Sequence, residues 1–366
     1  MREQRIAILL PNLRAGGAEK LHIDLARQWF SLGFKVDFVL RIADGVLLEQ
    51  VPVGSQVIDL HARRVRNAVV PLAQYVRKFR PDALLAPMWP SSTIAPIVAK
   101  VVGYEGRVVS SEHAPQSIAN RRRGAVHHIA MVASMRLGYR LASAVVCVSR
   151  GVASDVAKLA GLQFSSINVI HNPAARGLQM DRVGWSLPIE KGGALILAVG
   201  TLKPVKRFDL LIRAFAKLRI VDARLCIVGE GAEMERLRAL AVELGVSSRV
   251  FLPGYQPDPT NWYSHSDLFV LSSDYEGFGN VIVEALEQGT PVVCTDCPFG
   301  PREILDNGRY GDLVPVGDVD ALAVAMESSL QRSHNRDALR HRASEFRVER
   351  AARAYLDLLV PGWQTE

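Results

Sequence analysis

The chain has 366 residues, 49% of them hydrophobic, with 44 Lys+Arg, 37 Asp+Glu and a formal net charge of +7. That length suits two domains of ordinary size, each with its own core, and no internal repeat or low-complexity segment is visible. Four cysteines point to a reducing compartment, and Cys294 and Cys297 form a CxxC with no second pair to complete a zinc site. The charge is uneven. Residues 1–185 carry 24 basic against 12 acidic side chains, a balance of +12, and the remainder carries 20 against 25, a balance of −5. Different partners are expected for the two halves. No helix-turn-helix, zinc or aromatic-basic signature supports nucleic acid among them. The apolar start at Ile6–Pro11 is too short for a secretory signal, and Pro87, Pro90 and Pro96 interrupt the uncharged run Ala83–Lys100, a poor membrane span.

In chain order, Ile6–Leu10, Lys35–Leu40, Ala83–Pro87, Val108–Ser111 and Ala144–Val148 read as buried parallel strands. Amphipathic stretches such as Ala18–Ser31 and Val69–Lys78 lie between them. Arg121-Arg122-Arg123 precedes a stretch, Gly124 to Ala144, that mixes apolar and basic residues. It reads either as a solvated loop and packed helix or as an element drawn to an anionic membrane. The alternation restarts after Trp185. Leu195–Gly200, Arg224–Val228, Val250–Leu252, Leu268–Leu271 and Pro291–Cys294 read as strands; Asp209–Leu218, Glu233–Leu244 and Val281–Gln288 read as helices. Two β-α series predict an α/β chain of two doubly wound, Rossmann-like domains facing a cleft, with ligands beyond the carboxyl ends of the strands. The expected boundaries are 1–173, a linker at 174–192, and 193–345 for the second domain.

Residues 274–293, DYEGFGNVIVEALEQGTPVV, carry the most chemistry. Asn280 is expected as an N-cap and Gly289 as a helix stop. Glu276 then lies in a loop, and Glu284 about one turn inside a helix. Gly277 and Gly279 allow close backbone approach, and a helix N-terminus below them favours an anion. Carboxylates accept hydrogen bonds from sugar hydroxyls. A diphosphate flanked by hydroxyl-rich groups fits this arrangement, which is the shape of a nucleotide-sugar. On spacing alone, two acids near a helix start are also common.

The wider pattern E-G-F-G-x-x-x-x-E-A-L-x-x-G-T-P-V-V resembles the donor-site signature of retaining glycosyltransferases of family 4, which have the GT-B fold. Gly16-Gly17-Ala18-Glu19, Val148-Ser149-Arg150-Gly151-Val152, Val169-Ile170-His171-Asn172-Pro173, Val199-Gly200-Thr201-Leu202 with Lys206, and Cys297-Pro298-Phe299-Gly300-Pro301-Arg302-Glu303 follow in the family's order. The resemblance implies a final segment, 346–366, whose helix at Val348–Leu359 crosses back to the first domain. It implies that Glu276 takes donor-sugar hydroxyls, that Glu284 takes the ribose, and that Phe251 to Tyr255, including Pro253 and Gly254, meets the nucleobase. Gly277, Phe278, Gly279 and Asn280 complete the donor loop.

Lys206 is expected on the diphosphate with Gly200. Thr201 stands where the family usually has an arginine, so one positive charge is missing and Lys203 is a candidate to compensate. Gly16 and Gly17 form either a plain βα turn or a backbone contact to the donor. His113, at a strand end, is expected near the reacting carbon, and Glu112 near the acceptor. The catalytic set is therefore His113, Glu276 and Lys206. No DxD ends a strand, and Asp318-x-Asp320 reads as a helix N-cap, so neither a metal nor another cofactor is expected. The implied activity is retaining transfer of a hexose or N-acetylhexosamine, from a UDP-sugar first and a GDP-sugar second, to a glycan or lipid-linked acceptor. A cytoplasmic location follows, with a place on the inner membrane face under the membrane reading of the basic half. A nucleotide-sugar epimerase, a phosphorylase of the same fold and a catalytically silent partner subunit are the alternatives.

Overall fold

The computed structural model describes residues 4–14, 16–121, 123–177 and 192–365. It divides into two compact units, Met1–Pro173 with Val348–Glu366, and Ala174–Arg347. Most of the expected linker, 178–191, lies outside the described residues, as does Arg122.

The first unit runs β1 (Arg5–Leu10), α1 (Gly17–Ser31), β2 (Lys35–Leu40), β3 (Gln56–Asp59), α2 (Val69–Phe79), β4 (Ala83–Pro87), α3 (Ser91–Val101), β5 (Arg107–Glu112), α4 (Gln116–Ala119), α5 (Ala125–Leu141), β6 (Ala144–Cys147), α6 (Arg150–Ala160) and β7 (Ile167–Val169). Among the described residues its strands form a parallel sheet in the order β3-β2-β1-β4-β5-β6-β7. Alternate residues of β1 serve opposite faces. Ile6, Ile8 and Leu10 pack with Trp29 and Phe38; Ala7 and Leu9 pack with Leu72 and Leu84. Burial on both faces explains why the strand is continuously apolar. Ser149 starts α6 by accepting from Val152 N–H at 3.1 Å, and Gly161, at φ +65°, stops it.

The second unit runs β8 (Leu195–Val199), α7 (Phe208–Ala216), β9 (Arg224–Val228), α8 (Met234–Glu243), β10 (Val250–Gly254), α9 (Thr260–Ser264), β11 (Leu268–Leu271), α10 (Asn280–Glu287), β12 (Val292–Thr295), α11 (Pro301–Ile304), β13 (Asp312–Val314), α12 (Val319–Gln331) and α13 (Arg336–Ser344). Its parallel order is β10-β9-β8-β11-β12-β13. Ile196, Phe208, Leu211, Phe215, Val270 and Met326 lie in its core. Pro253 sits in β10 without cost because β10 is an edge strand. The unit's two chain ends are joined: Ala175 bridges Arg347, and Ala175 N–H donates to Phe346 O at 3.1 Å. Glu287 holds the entering segment by accepting from Arg176 N–H at 3.1 Å and Gly177 N–H at 2.7 Å.

The last helix, α14 (Val348–Leu359), packs in the first unit. Tyr355 meets Trp29 edge-on at 6.3 Å, and Trp29 Nε1–H donates to Ala352 O at 3.0 Å. Sequence reading omits β3, β7 and β13. All three are short, and β3 is an edge strand with half its residues exposed, so none carries a sustained apolar run.

Candidate active site

Gly200, Gly254 and Glu276, expected at the donor site, all follow or end strands of the second unit. Gly200 follows β8, and its N–H donates to Val228 O at 3.0 Å. A side chain at Gly229 would meet Gly200 O at 2.0 Å, and Gly229 N–H donates to Gly254 O at 2.9 Å. Glycines at these three strand ends allow backbone-to-backbone contact. The Gly200 amide is therefore engaged in the sheet. Gly254 has φ +83°, and Pro253 beside it is exposed.

The loop after Gly200 is tied down at several points. Leu202 N–H donates to Glu230 O at 2.8 Å, Asp274 N–H to Val205 O at 2.9 Å, and Ser272 Oγ to Lys206 O at 2.8 Å. These ties bring Lys206 Nζ to 2.7 Å from Glu276 Oε1. The ion pair is shielded, with side chains 21% and 11% exposed. Ser273 Oγ donates to the same carboxylate oxygen at 2.6 Å, and Thr295 Oγ1 fixes Ser273 through its carbonyl at 2.7 Å. Thr201 and Lys203 are exposed. Arg207 is a neighbouring cation, but its guanidinium is held by Asp209 at 3.1 Å and Asp274 at 3.0 Å.

One expectation for the glycine loop needs correction. The N-cap of α10 is Gly279, at φ +104°, and Asn280 is the first helical residue. Left-handed backbone is cheap for glycine, so the helix starts one residue earlier than Asn280 capping would allow. Phe278 is 2% exposed, with its ring edge-on to Phe346 at 5.5 Å. Its side chain anchors the loop in the core, which leaves only its backbone for a ligand. Gly300, at φ +98°, is required beneath it, since a side chain there would meet Phe278 O at 1.8 Å. Gly277 lies between Glu276 and this anchored residue, and Gly289, at φ +74°, follows the end of α10 as expected.

Glu284 has its own partner. Tyr263 Oη donates to Glu284 Oε2 at 2.8 Å from a residue 1% exposed. Burial, then the Glu284 charge, push the Tyr263 hydroxyl well above its ordinary pKa, so it remains a donor. The two carboxylates of the motif are thus oriented separately, Glu276 by Lys206 and Ser273, Glu284 by Tyr263. Tyr263 lies 21 positions before Glu284 on another helix, and nothing in the local pattern signals it.

In the first unit, Gly16 caps α1 and Gly17 opens it. A side chain at Gly16 would meet Glu19 Oε2 at 2.0 Å. His22, one turn further along, is fully buried and lies 5.1 Å from His113, ring to ring. His22 Nδ1 contacts Ala18 O at 2.6 Å, and His113 Nε2 contacts Ser111 Oγ at 3.1 Å. His22 Nε2 and His113 Nδ1 are enclosed with no hydrogen-bond partner. Burial lowers the His22 pKa to about 4; burial and then His22 itself lower His113 well below the ordinary value. Both imidazoles are neutral near pH 7, so neither supplies a cation.

Glu112, expected near the acceptor, is 0% exposed. Ser92 Oγ and Tyr139 Oη each donate to its Oε1 at 2.5 Å, and Gln116 Nε2 donates to its Oε2 at 2.8 Å. Its oxygens are occupied internally, so its role is to join β5 to the surrounding helices rather than to touch an acceptor. Burial raises its pKa against the opposing effect of those hydrogen bonds. Asp318 caps α12 through Ala321 N–H at 2.8 Å. Among the described residues no group of three or more His, Cys, Asp or Glu is placed to hold a metal ion.

Residues 15–175 match the family described as Glycosyltransferase Family 4, and residues 180–346 match Glycosyl transferases group 1. The chain belongs to glycosyltransferase family 4. This glycosyltransferase is 29% identical to the lipopolysaccharide core biosynthesis glycosyltransferase LpsE of Rhizobium meliloti, over 94% of this chain and 96% of that one. It is 27% identical, over 68% of this chain and 67% of the other, to a Campylobacter jejuni N-acetylgalactosaminyltransferase named for a diphospho-undecaprenol acceptor. Among solved structures it is similar to Anabaena HepE in complex with UDP, with TM-score 0.78, 21% identity and coverage of 97% and 99%. The apo lipopolysaccharide outer core galactosyltransferase WaaB gives TM-score 0.74 at 19% identity, over 97% of this chain and 99% of that one. At such identities these structures establish the fold alone, two doubly wound units of the GT-B class.

Proposed function

We propose that this glycosyltransferase is a retaining, metal-independent enzyme that moves a hexose or N-acetylhexosamine from a UDP-sugar to a glycan or lipid-linked acceptor of envelope polysaccharide or glycolipid. The observation that carries this reading is the shielded Lys206–Glu276 pair beside the N-terminus of α10. A departing nucleoside diphosphate needs positive charge, supplied here by Lys206 and the helix dipole. Glu276 takes hydroxyls of the donor sugar, Glu284 takes the ribose, and His113 contacts the sugar near the reacting carbon. The diphosphate accepts the acceptor's proton on the face it leaves, which retains configuration. The names of LpsE and of the Campylobacter relative, and the UDP in HepE, support the donor and acceptor classes. An epimerase, a phosphorylase or a silent subunit would lack donor-to-acceptor transfer.

Calorimetry with UDP in EDTA, alongside a turnover assay, tests the assignment. Glu284→Ala should abolish most UDP affinity, and Tyr263→Phe should weaken it about tenfold, the scale of one hydrogen bond to a charged group. Glu276→Ala should keep UDP affinity, because it frees Lys206, yet lose turnover. Equal loss of UDP affinity in both glutamate variants would overturn the roles. Activity lost to EDTA and restored by magnesium would overturn the metal-independent reading.

A membrane-surface location is part of the same proposal. No helix among the described residues is long and apolar enough to cross a membrane. On α5, however, Val126, Ile129 and Leu137 are 83%, 67% and 53% exposed, at helical spacing along one side. Arg136 and Arg140 are exposed on the same helix, and Arg121 and Arg123 are exposed just before it. Apolar residues with flanking cations suit an anionic bilayer surface, where each basic residue contributes about 1 kcal/mol. Wild-type protein should float with phosphatidylglycerol vesicles at low salt. Replacing Arg121, Arg122 and Arg123 together should strongly reduce this without changing donor hydrolysis. Failure of the wild type to float removes the membrane from the reading.

A further inference from the structure

Trp89 follows β4 at the carboxyl end of the first sheet, where doubly wound domains take their ligands. Unlike Trp29 and Trp262, which are 0% and 2% exposed, it is only partly buried. Its polar atom is already used, since Nε1–H donates to Ser134 Oγ on α5 at 3.0 Å. His127 meets its ring edge-on at 5.3 Å and 85°. The backbone behind it is anchored as well: Trp89 N–H points to Glu112 Oε2 at 3.4 Å.

From Glu112 a chain of side chains leads back to the same indole. Gln116 Nε2 donates to Glu112 Oε2 at 2.8 Å, Asn120 Nδ2 donates to Gln116 Oε1 at 2.8 Å, and Asn120 Oδ1 lies 3.3 Å from His127 Nε2. The indole is thus held from its edge, its backbone and its flank. With Nε1–H satisfied internally, what the indole has left to offer a ligand is apolar ring surface. An aromatic face carries partial negative charge and attracts the weakly positive C–H face of a pyranose. Fixing the ring in advance lowers the entropy lost when a sugar settles on it.

We propose that Trp89 is the stacking platform for a pyranose ring of the acceptor, with His127 as its side wall. The proposal rests on the transferase reading above. It relocates the acceptor contact from Glu112 to the aromatic surface that Glu112 helps to anchor.

The test uses the full chain and three probes: methyl α-D-glucopyranoside, methyl β-D-galactopyranoside and N-acetylglucosamine. Saturable quenching of tryptophan fluorescence by at least one probe is expected in the wild type. Trp89→Leu should raise that dissociation constant about tenfold or more, and Trp89→Phe, which keeps a ring, by less, as aromatic stacking energies imply. UDP affinity, measured on the same variants, should not change, and an unchanged circular dichroism spectrum and urea midpoint report that the unit holding Trp89 is folded. No quenching by any probe in the wild type, or unchanged sugar affinity in Trp89→Leu, overturns the proposal. Failure of UDP to bind the wild type would instead strike at the donor reading and leave Trp89 to be judged on the sugar titration.

Discussion

Replacing Lys206 with alanine is expected to lower turnover by about 10²-fold or more, the scale for losing one preorganised group that meets charge in the transition state. Three observations make the effect large. Thr201 occupies the position where the family usually supplies a second cation. Arg207, the neighbouring cation, is held by Asp209 and Asp274. Lys203 is exposed, on a flexible stem whose charge is screened by water. Lys203→Ala should therefore cost less than Lys206→Ala. A double-mutant cycle with Glu276→Ala adds a sharper test, because the two side chains are 2.7 Å apart and their effects should not sum. Near-normal turnover in Lys206→Ala would place the diphosphate elsewhere.

Acid should unfold the first unit through His22 and His113. Both have folded-state pKa values below the ordinary histidine value, about 4 for His22. Between about pH 6.5 and pH 4 the unfolded chain therefore binds more protons than the folded one, and stability rises with pH across that window. The contribution is fully present above about pH 6.5 and is lost as pH falls. For His22 alone the shift corresponds to roughly 3 kcal/mol. Urea unfolding of the wild type and of His22→Asn at pH 7 and pH 4.5 measures it. The variant should lose less stability on acidification than the wild type. Equal losses would mean that the buried imidazole is not held neutral in the fold.

The β-α alternation and the partners of the donor motif were legible to different degrees, and for physical reasons. β1 and β8 are buried on both faces, so their apolar runs identify them without further information. β3 and β13 are short and partly exposed, and no periodicity can reveal them. Glu276 and Glu284 stand in a motif whose spacing follows from one loop and one helix, and Lys206 stands in a separate motif after β8. Their partners do not: Tyr263 reaches Glu284 from α9, and His22 reaches His113 from α1. Such pairings depend on how separate elements pack, and propensity carries no record of that. Asn280 shows the opposite failure. It is a good capping residue by type, but Gly279 can adopt the left-handed backbone and takes the cap position instead. Glu112 was visible as a residue at a strand end, whereas its enclosure by Ser92, Gln116 and Tyr139 was not.

The bridge between Ala175 and Arg347 makes the second unit a cassette inserted into the first. Its two termini are neighbours, about 5 Å apart as strand partners are. A segment with adjoining ends can be cut out without opening its own sheet or core. Residues 174–347 should therefore form an independent folding unit, and a short peptide from Pro173 to Val348 should suffice to reclose the remainder. The same arrangement provides an evolutionary route by which one donor cassette could be exchanged for another while the β1–β7 sheet and α14 stay as they are. Glu287 sits at the seam of that cassette, with its carboxylate on the amides of Arg176 and Gly177, so it secures the boundary rather than the chemistry.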